Sequence, residues 1–293
     1  MTTARLHADA VTLRYRQSTV ARDLSVTIPD GSLTIIIGPN ACGKSTLLRA
    51  LSRLLRPAEG HVILDGASIA SLPAKEVARR IGLLPQSSDA PDGITVEDLV
   101  ARGRYPHQSL LRQWSAADQA AVASALVATG ISDLAPRLVD ELSGGQRQRV
   151  WLAMVLAQQT PILLLDEPTT FLDIAHQIDL LDLLNDIHAE GRTVVAVLHD
   201  LNQACRYATH LIIMRGGAIV AEGSPAEIMS EQLVESVFGL ACMIIADPVT
   251  GSPMVVPRSR HAGTSGHPHA IKAARPAETS PHHLVTAIEK DGL

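Results

Sequence analysis

Long apolar runs are missing from this sequence of 293 residues. Its most apolar stretches, such as LTIII (33–37) and HLIIM (210–214), are far shorter than the roughly 20 residues that span a bilayer. The first residues, MTTARLHADAVTLRY, also lack the apolar core of a signal peptide. We therefore expect a protein that does not itself cross a membrane, so that any membrane role comes through a partner.

A basic excess and paired cysteines are missing as well. The chain has 25 basic and 30 acidic residues and a formal net charge of -5, which argues against a dedicated nucleic-acid binder because such proteins are usually basic. Cys42, Cys205 and Cys242 are widely spaced and odd in number, so neither a zinc site nor a disulfide framework is indicated. A reducing cytosol is the simplest compartment for such a chain.

Short β-branched or leucine-rich runs alternate with helical patterns, which predicts an α/β fold with a parallel sheet. The predicted strands lie within residues 26–38 (two strands around a turn), 61–66, 162–167, 193–199 and 210–223. The runs that begin at 162 and 193 are apolar enough to be central strands. Gly216 and Gly217 predict the turn of a hairpin in the last segment.

The pattern changes between Gln86 and Pro161, where alanine-rich segments with helical spacing follow one another. We interpret this part as a helical insert in the α/β core. The predicted divisions are a core of residues 1–86 and 161–225, a helical subdomain 87–160, a C-terminal extension 226–261 and a disordered tail 262–293. The tail histidines 267, 269, 282 and 283 are scattered among Pro and Ser, so we predict no metal site there.

The segment GPNACGKST (38–46) fits G-x-x-x-x-G-K-[ST] and lies between a buried strand and a predicted helix, the context that a phosphate-binding P-loop requires. Its glycines let successive N–H groups face the phosphates. Lys44 is predicted to hold the β- and γ-phosphates, and Ser45 to bind Mg²⁺. The predicted phosphate-binding residues are Gly38, Pro39, Asn40, Ala41, Cys42, Gly43, Lys44, Ser45 and Thr46.

Acidic and histidine side chains follow two other predicted strands. Asp166 and Glu167 end the run ILLLDE, and His199 ends TVVAVLH. Open α/β sheets bind ligands at the carboxyl edge of their strands, so Asp166 is predicted to orient Mg²⁺ and Glu167 to act as the general base. His199 is predicted to sense or position the γ-phosphate. An Asp-Glu-Pro run without a P-loop would fit an exposed turn equally well.

A second glycine-paired patch, LSGGQ (142–146), opens a predicted helix. Ser143 and the N–H groups of Gly144 and Gly145 can donate hydrogen bonds to a phosphate, aided by the helix dipole. A serine-capped helix with no ligand is the structural alternative.

LSGGQ, the P-loop and ILLLDEP together resemble the ATP-binding-cassette (ABC) ATPases over about residues 5–260. The resemblance implies a P-loop NTPase (RecA-like) mixed sheet, N-terminal antiparallel strands and an inserted all-helical subdomain. It also implies that Tyr15 stacks on adenine and that Gln86 is a catalytic residue that reaches Mg²⁺. In this family two chains pair head to tail around two ATP molecules. Each chain offers its signature residues, here Ser143, Gly144, Gly145 and Gln146 with Asp173 nearby, to the other chain's nucleotide.

Several longer stretches are similar to the ATPase subunits of bacterial iron(III)-siderophore importers: residues 95–108, 141–154, 166–184, 195–214 and 237–257. This similarity implies an ATPase at the cytoplasmic face of the inner membrane. Its partners would be two integral-membrane permease subunits and, indirectly, a periplasmic or lipid-anchored substrate-binding protein, with no nucleic acid. Importers of haem and cobalamin share much of the pattern, and a soluble ABC ATPase without a transport role is a further alternative. Ala41 departs from the glycine common in the siderophore group, at a variable position.

The stretch VARGRYPHQSLLRQW (100–114) mixes basic and aromatic residues, namely Arg102, Arg104, Tyr105, Arg112 and Trp114. Such a mixture suits a protein interface, and it equally suits a solvated helix end. The resemblance implies that a helix of the membrane subunit docks near this segment.

Deleting residues 262–293 should leave ATP turnover intact, because every predicted nucleotide-binding residue lies before residue 200. Turnover of the shortened and full chains at equal protein concentration checks this. A large loss in the shortened chain would contradict it.

Overall fold

The computed structural model describes residues 4–16, 18–86, 89–109 and 114–259. The predicted tail 262–293 and Arg112 lie outside these described residues. Within them, no helix combines the length and the apolar character that crossing a bilayer requires.

The first strands form an antiparallel sheet. Its strands are β1 (Leu6–Tyr15), β2 (Ser18–Ile28), β4 (Glu59–Leu64) and β5 (Ala67–Ser68). The order is β2-β1-β4-β5. Apolar residues that alternate with polar ones, such as Leu6 and Val62, point into the core from one face. The N-terminal antiparallel strands that the resemblance implied are therefore present.

A six-stranded mixed sheet forms the centre of the described chain. Its strands are β3 (Leu33–Ile37), β6 (Ile81–Leu84), β7 (Ile162–Asp166), β8 (Thr193–Val197), β9 (His210–Arg215) and β10 (Ala218–Gly223). Their order is β10-β9-β3-β8-β7-β6. The β9–β10 pair is the predicted antiparallel hairpin, and all other neighbours are parallel. Every residue of β3, β7 and β8 is buried, as their continuous apolar sequences predict.

Two apolar cores cover the two faces of this sheet. Alternate residues of β3 divide between them, with Ile36 on the side of the antiparallel sheet and Ile35 on the opposite side. Helix α1 (Lys44–Leu51) lies between the two sheets and buries Leu47 and Leu48 completely. Complete burial of a leucine contributes about 2 kcal/mol, so this packing holds the start of α1 firmly behind the P-loop.

A group of helices lies between β6 and β7. Helix α2 (Ala74–Arg80) precedes β6. The helices after β6 are α3 (Val96–Ala101), a 3-10 helix (Arg102–His107), α4 (Ala116–Ala128), two short 3-10 helices (Ser132–Leu134 and Val139–Glu141) and α5 (Gly144–Ala157). Among the described residues from 89 to 160 no strand occurs, only an isolated bridge between Thr95 and Leu138. Ser115 caps α4 and Ser143 caps α5, each with a reciprocal bond from the third helical residue.

Arg104 lies in the interior of this helical group, so both alternatives given for it, a protein interface and a solvated helix end, are wrong. The residue is 5% exposed, and its Nε donates to Asp118 Oδ1 at 2.8 Å. Its Nη1 donates to the carbonyl oxygen of Ala157 at 2.7 Å. The neighbouring Tyr105 points the other way and is 57% exposed, so it remains a candidate interface residue, as does the exposed Trp114.

The last described elements pack against the helix that follows β8. After helix α6 (Ile174–Ala189), the chain forms α7 (Leu201–Tyr207), α8 (Pro225–Ile228), α9 (Glu231–Phe238) and a hairpin of β11 (Cys242–Ala246) and β12 (Pro253–Pro257). Asn202 of α7 accepts from Val255 N at 2.7 Å. The backbone N–H of Val249 and the guanidinium of Arg206 lower the pKa of Asp247 to about 2.

Candidate nucleotide site

The predicted phosphate-binding, metal-binding and catalytic residues come from the carboxyl ends of four adjacent parallel strands. The P-loop begins directly after β3, Asp166 ends β7, His199 lies two residues after β8, and Gln86 lies two residues after β6. Because parallel strands end at one edge of a sheet, these side chains are neighbours in space although they are far apart in sequence.

Lys44 is folded back over the P-loop. Its Nζ donates to the carbonyl oxygens of Gly38 at 2.8 Å and Pro39 at 3.0 Å, so the ammonium lies over the loop rather than in solvent. Gly38 is needed because a Cβ there would lie 2.2 Å from the carbonyl oxygen of Met214. The loop therefore passes close to the end of β9. Ala41 has a left-handed backbone, with φ 61°, which glycine would adopt with less strain.

Ser45 and Asp166 are joined directly. Ser45 Oγ donates to Asp166 Oδ1 at 2.8 Å, which links the first turn of α1 to the end of β7. Burial raises the pKa of Asp166, with a smaller contribution from the negative charge of Glu167, while the Ser45 hydrogen bond opposes the shift. A buried carboxylate with a raised pKa is stabilised by a nearby cation.

Glu167 is bracketed by two polar side chains. Gln86 Nε2 donates to Glu167 Oε2 at 2.9 Å, and His199 Nε2 lies 2.8 Å from Glu167 Oε1. The residue has a left-handed backbone with φ 54°, an uncommon conformation for a non-glycine residue. The sharp turn aims its carboxylate away from the end of β7 and toward these two partners.

These residues line a cavity of about 560 Å³, within the range of small-molecule sites. Its lining is Tyr15, Val20, Asn40, Ala41, Cys42, Gly43, Lys44, Ser45, Thr46, Gln86, Glu167 and His199. The half-exposed Tyr15 offers a ring for stacking at the rim. The sequence did not indicate Val20, which lines the cavity, or Arg49, which contacts the lining residue Tyr15. Val20 contacts the loop near Gly43, and Arg49 donates to Tyr15 Oη at 3.4 Å.

The signature residues lie outside this cavity, although all of them are described. Ser143 is exposed and accepts a hydrogen bond from Gln146 N at 3.3 Å. Its hydroxyl proton can therefore still be donated. A Cβ on Gly145 would lie 3.2 Å from Leu172 Cδ2, so the helix start packs against the segment that leads to Asp173.

Asp173 also lies outside the cavity. Its Oδ1 accepts from the backbone N of His176 at 2.9 Å, which caps α6, and lies 2.8 Å from His176 Nδ1. The backbone hydrogen bond from His176 is the main reason that the pKa of Asp173 is lowered.

Comparison with known proteins gives the family. Residues 21–170 match the ABC transporter family model. The chain is 61% identical over 265 residues to the ferric enterobactin transport ATP-binding protein of Escherichia coli (strain K12), an alignment that covers 90% of this chain and 98% of that protein. The chain belongs to the ABC transporter ATPases.

Solved ABC structures agree with this ATPase fold. A metal-chelate type ABC transporter in an inward-facing conformation superposes with a TM-score of 0.74 at 27% identity, covering 88% of this chain and 98% of that chain. A bacterial ABC transporter cassette solved as a dimer superposes with a TM-score of 0.68 at 28% identity. The superposition covers 75% of this chain and 98% of that chain. The mixed-sheet P-loop NTPase fold predicted for this ABC ATPase is thereby confirmed.

The residues present suit both Mg²⁺ and a triphosphate. Hydroxyl, carboxylate and amide oxygens are the ligand types that Mg²⁺ prefers, and Ser45, Asp166 and Gln86 supply them at one edge. The P-loop residues 40–46 all line the cavity, and a glycine-containing loop that precedes a helix is a common phosphate site.

Replacing Asp166 with Asn should stabilise the nucleotide-free ATPase at neutral pH while abolishing turnover. Because the folded-state pKa of Asp166 is raised, its stabilising contribution is present below the ordinary aspartate pKa of about 4 and is lost as the pH rises through the folded value. The neutral Asn variant avoids this loss. At neutral pH the thermal unfolding midpoint of Asp166→Asn should therefore lie above that of the unmodified chain. The difference should shrink as the pH falls.

Thermal unfolding as a function of pH, without nucleotide, measures this effect. The exposed Asp133→Asn is the matched control and should follow the unmodified chain throughout. A wild-type midpoint above that of Asp166→Asn at neutral pH would contradict the assigned cost of burying Asp166.

Proposed function

We propose that this chain is the ATP-hydrolysing subunit of a bacterial importer, in which two copies pair head to tail around two ATP molecules and drive uptake of an iron(III)-siderophore complex through a membrane permease. The observation that carries the proposal is the separation of two phosphate-binding features within one chain. The P-loop cavity has no signature residue in its lining. Ser143 is exposed, and its hydroxyl group can still donate a hydrogen bond. A second copy supplies what each cavity lacks.

Hydrolysis is assigned to the chain's own residues at the sheet edge. Glu167 accepts the proton of the attacking water, with its carboxylate oriented by Gln86 and His199. Lys44 moves from the loop carbonyls to the β- and γ-phosphates. Mg²⁺, held by Ser45, Gln86 and Asp166, would neutralise phosphate charge when bound.

The dimer follows from differential binding. ATP favours the closed pair because its γ-phosphate contacts Lys44 of one copy and Ser143 of the other, and hydrolysis removes that preference. The solved dimer of a similar cassette supports this arrangement.

The cargo class rests on the relatives. The 61% identity to a ferric enterobactin transport protein extends over nearly the whole of that protein, and a structural neighbour is a metal-chelate type transporter. Haem or cobalamin is the alternative cargo. Uptake assays with the chain reconstituted in turn with a siderophore, a haem and a cobalamin permease and the matching binding protein, each with its own cargo, separate the three cargoes.

A groove of about 440 Å³ is the proposed docking place for a short cytoplasmic helix of the permease. It includes the exposed Tyr105 and Trp114 together with Asp98 and Arg102. Aromatic side chains beside charged ones form effective interface centres. The groove lies in the helical group that follows Gln86, so docking there can reach the site through that residue.

Replacing Glu167 with Gln should preserve ATP binding and allow dimers to accumulate, while turnover falls about 100-fold or more through loss of the general base. Gln keeps the size of the side chain but cannot take the proton. Sedimentation with ATP and a phosphate-release assay measure the two effects. The exposed Glu190→Gln serves as the control and should behave as the unmodified chain. Near-normal turnover in Glu167→Gln would refute the assignment.

Replacing Tyr105 with Ala should lower siderophore uptake by reconstituted transporter about tenfold or more, because an aromatic interface centre contributes about 2 kcal/mol or more to binding. Uptake into vesicles that contain the permease is the measurement. Val127→Ala, another exposed apolar residue of the helical group, is the control. Unchanged uptake in Tyr105→Ala would remove Tyr105 from the docking surface.

A further inference from the structure

The 3-10 helix Arg102–His107 meets the last turn of the signature helix α5 at backbone contact. A Cβ on Gly103 would lie 2.2 Å from the carbonyl oxygen of Met154 and 3.2 Å from Ala157 Cβ. Only glycine allows this approach, so the two helices touch without intervening side chains. His107 Nε2 lies 2.8 Å from the carbonyl oxygen of Gln158 and extends the contact past the end of α5.

Arg104 adds a buried ion pair to that contact. One guanidinium donates both to Asp118 near the start of α4 and to the carbonyl oxygen of Ala157 at the end of α5. It also donates to Gln159 Oε1 at 3.1 Å. The other oxygen of Asp118 accepts from Ser115 Oγ and Ser115 N. Both oxygens of Asp118 and two of the three guanidinium nitrogens of Arg104 therefore make hydrogen bonds, and such bonds are what allow an ion pair to be buried.

The opposite end of α5 is attached elsewhere. Gln148 Nε2 donates to the carbonyl oxygen of Pro168 at 3.1 Å, directly after Glu167. Attachments at both ends therefore set the direction of α5. A 14-residue helix is about 21 Å long, so tilting it by about 3° shifts one end by about 1 Å. Misplacing reacting groups by about 1 Å can slow a reaction about 100-fold, so a shift of that size at the start of α5 matters for a site in which Ser143 faces a reacting phosphate.

We propose that Gly103 and Arg104 form the positioning joint that holds α5 in the orientation in which Ser143 can reach the nucleotide of a second copy. Arg104 is a positioning residue, since it touches neither the cavity nor the signature residues. The inference rests on the head-to-tail dimer proposed above. In this proposal Arg104 supports the nucleotide site of the second copy and has no role in the P-loop of its own chain.

The test compares ATP-driven dimerisation with ATP binding by the single chain. Arg104→Gln is made in the Glu167→Gln background, where ATP-bound dimers persist. We expect dimerisation to weaken about tenfold or more, while the dissociation constant of a fluorescent ATP analogue at low protein concentration changes less than about twofold. The matched control is Arg206→Gln, which breaks another arginine pair with a buried carboxylate, outside the helical group. It should leave both quantities unchanged.

Two further variants separate positioning from general destabilisation. Gly103→Ala keeps the ion pair but forces the helices apart, and we expect the same split between dimerisation and ATP binding. Arg104→Lys keeps the cation and should recover part of the dimerisation. If Arg104→Gln does not fold, these two variants decide the question alone.

Three results would contradict a proposal made here for α5 or for the dimer. Unchanged dimerisation in the folded joint variants overturns the inference, and so does parallel loss of ATP binding, which would place Arg104 in the support of its own pocket. If the Glu167→Gln parent itself fails to dimerise with ATP, the proposed head-to-tail dimer is contradicted instead.

Discussion

Parallel pairing of β3, β8, β7 and β6 is the constraint on which the site depends. These strands are buried along their whole length or nearly so, so polar groups can follow them only where the strands end. All four end at the same edge. The Ser45–Asp166 hydrogen bond shows the result, because it joins residues 121 positions apart in the chain. If one strand were shifted by one residue in its register, its side chains would exchange the two faces of the sheet, and Ser45 and Asp166 would no longer be in contact.

Charge at this edge is balanced to receive a cation and phosphates. Asp166 and Glu167 are adjacent carboxylates, and the first is buried with a raised pKa. Glu167 is held by the amide of Gln86 and the imidazole of His199. Lys44 is occupied by two loop carbonyls. Each of these contacts is polar and exchangeable, so a metal–nucleotide complex can replace them without disturbing the apolar core.

The helical group has the opposite character. The contacts of Arg104 with Asp118 and the end of α5 are buried, and both oxygens of Asp118 accept hydrogen bonds. Replacing such a pair by apolar residues is often neutral for stability, so its presence is better explained by the specific geometry it imposes. Exposed, exchangeable contacts at the sheet edge and buried contacts in the helical group are consistent with the proposed dimer, in which the sheet edge is catalytic and the helical group of a second copy is rigid.

The residues that meet at the sheet edge could be named from the amino-acid sequence. Gly, Lys and Ser at fixed spacing after an apolar run predict a phosphate loop, and an apolar run ending in Asp166 and Glu167 predicts its acidic partner, because both patterns are local. The central strands were predicted for the same reason, since a strand covered on both faces is apolar throughout.

Contacts between distant segments could not be inferred in this way. Val20 lines the cavity through the pairing of β1 with β2, and Arg49 of α1 contacts the lining residue Tyr15. Arg104 resembled a surface residue because arginine is rarely buried without a partner. Its partners, Asp118 and the carbonyl oxygen of Ala157, lie 14 and 53 residues away. These contacts form only when the 3-10 helix, α4 and α5 pack together. A pattern within one segment of the sequence therefore cannot predict them.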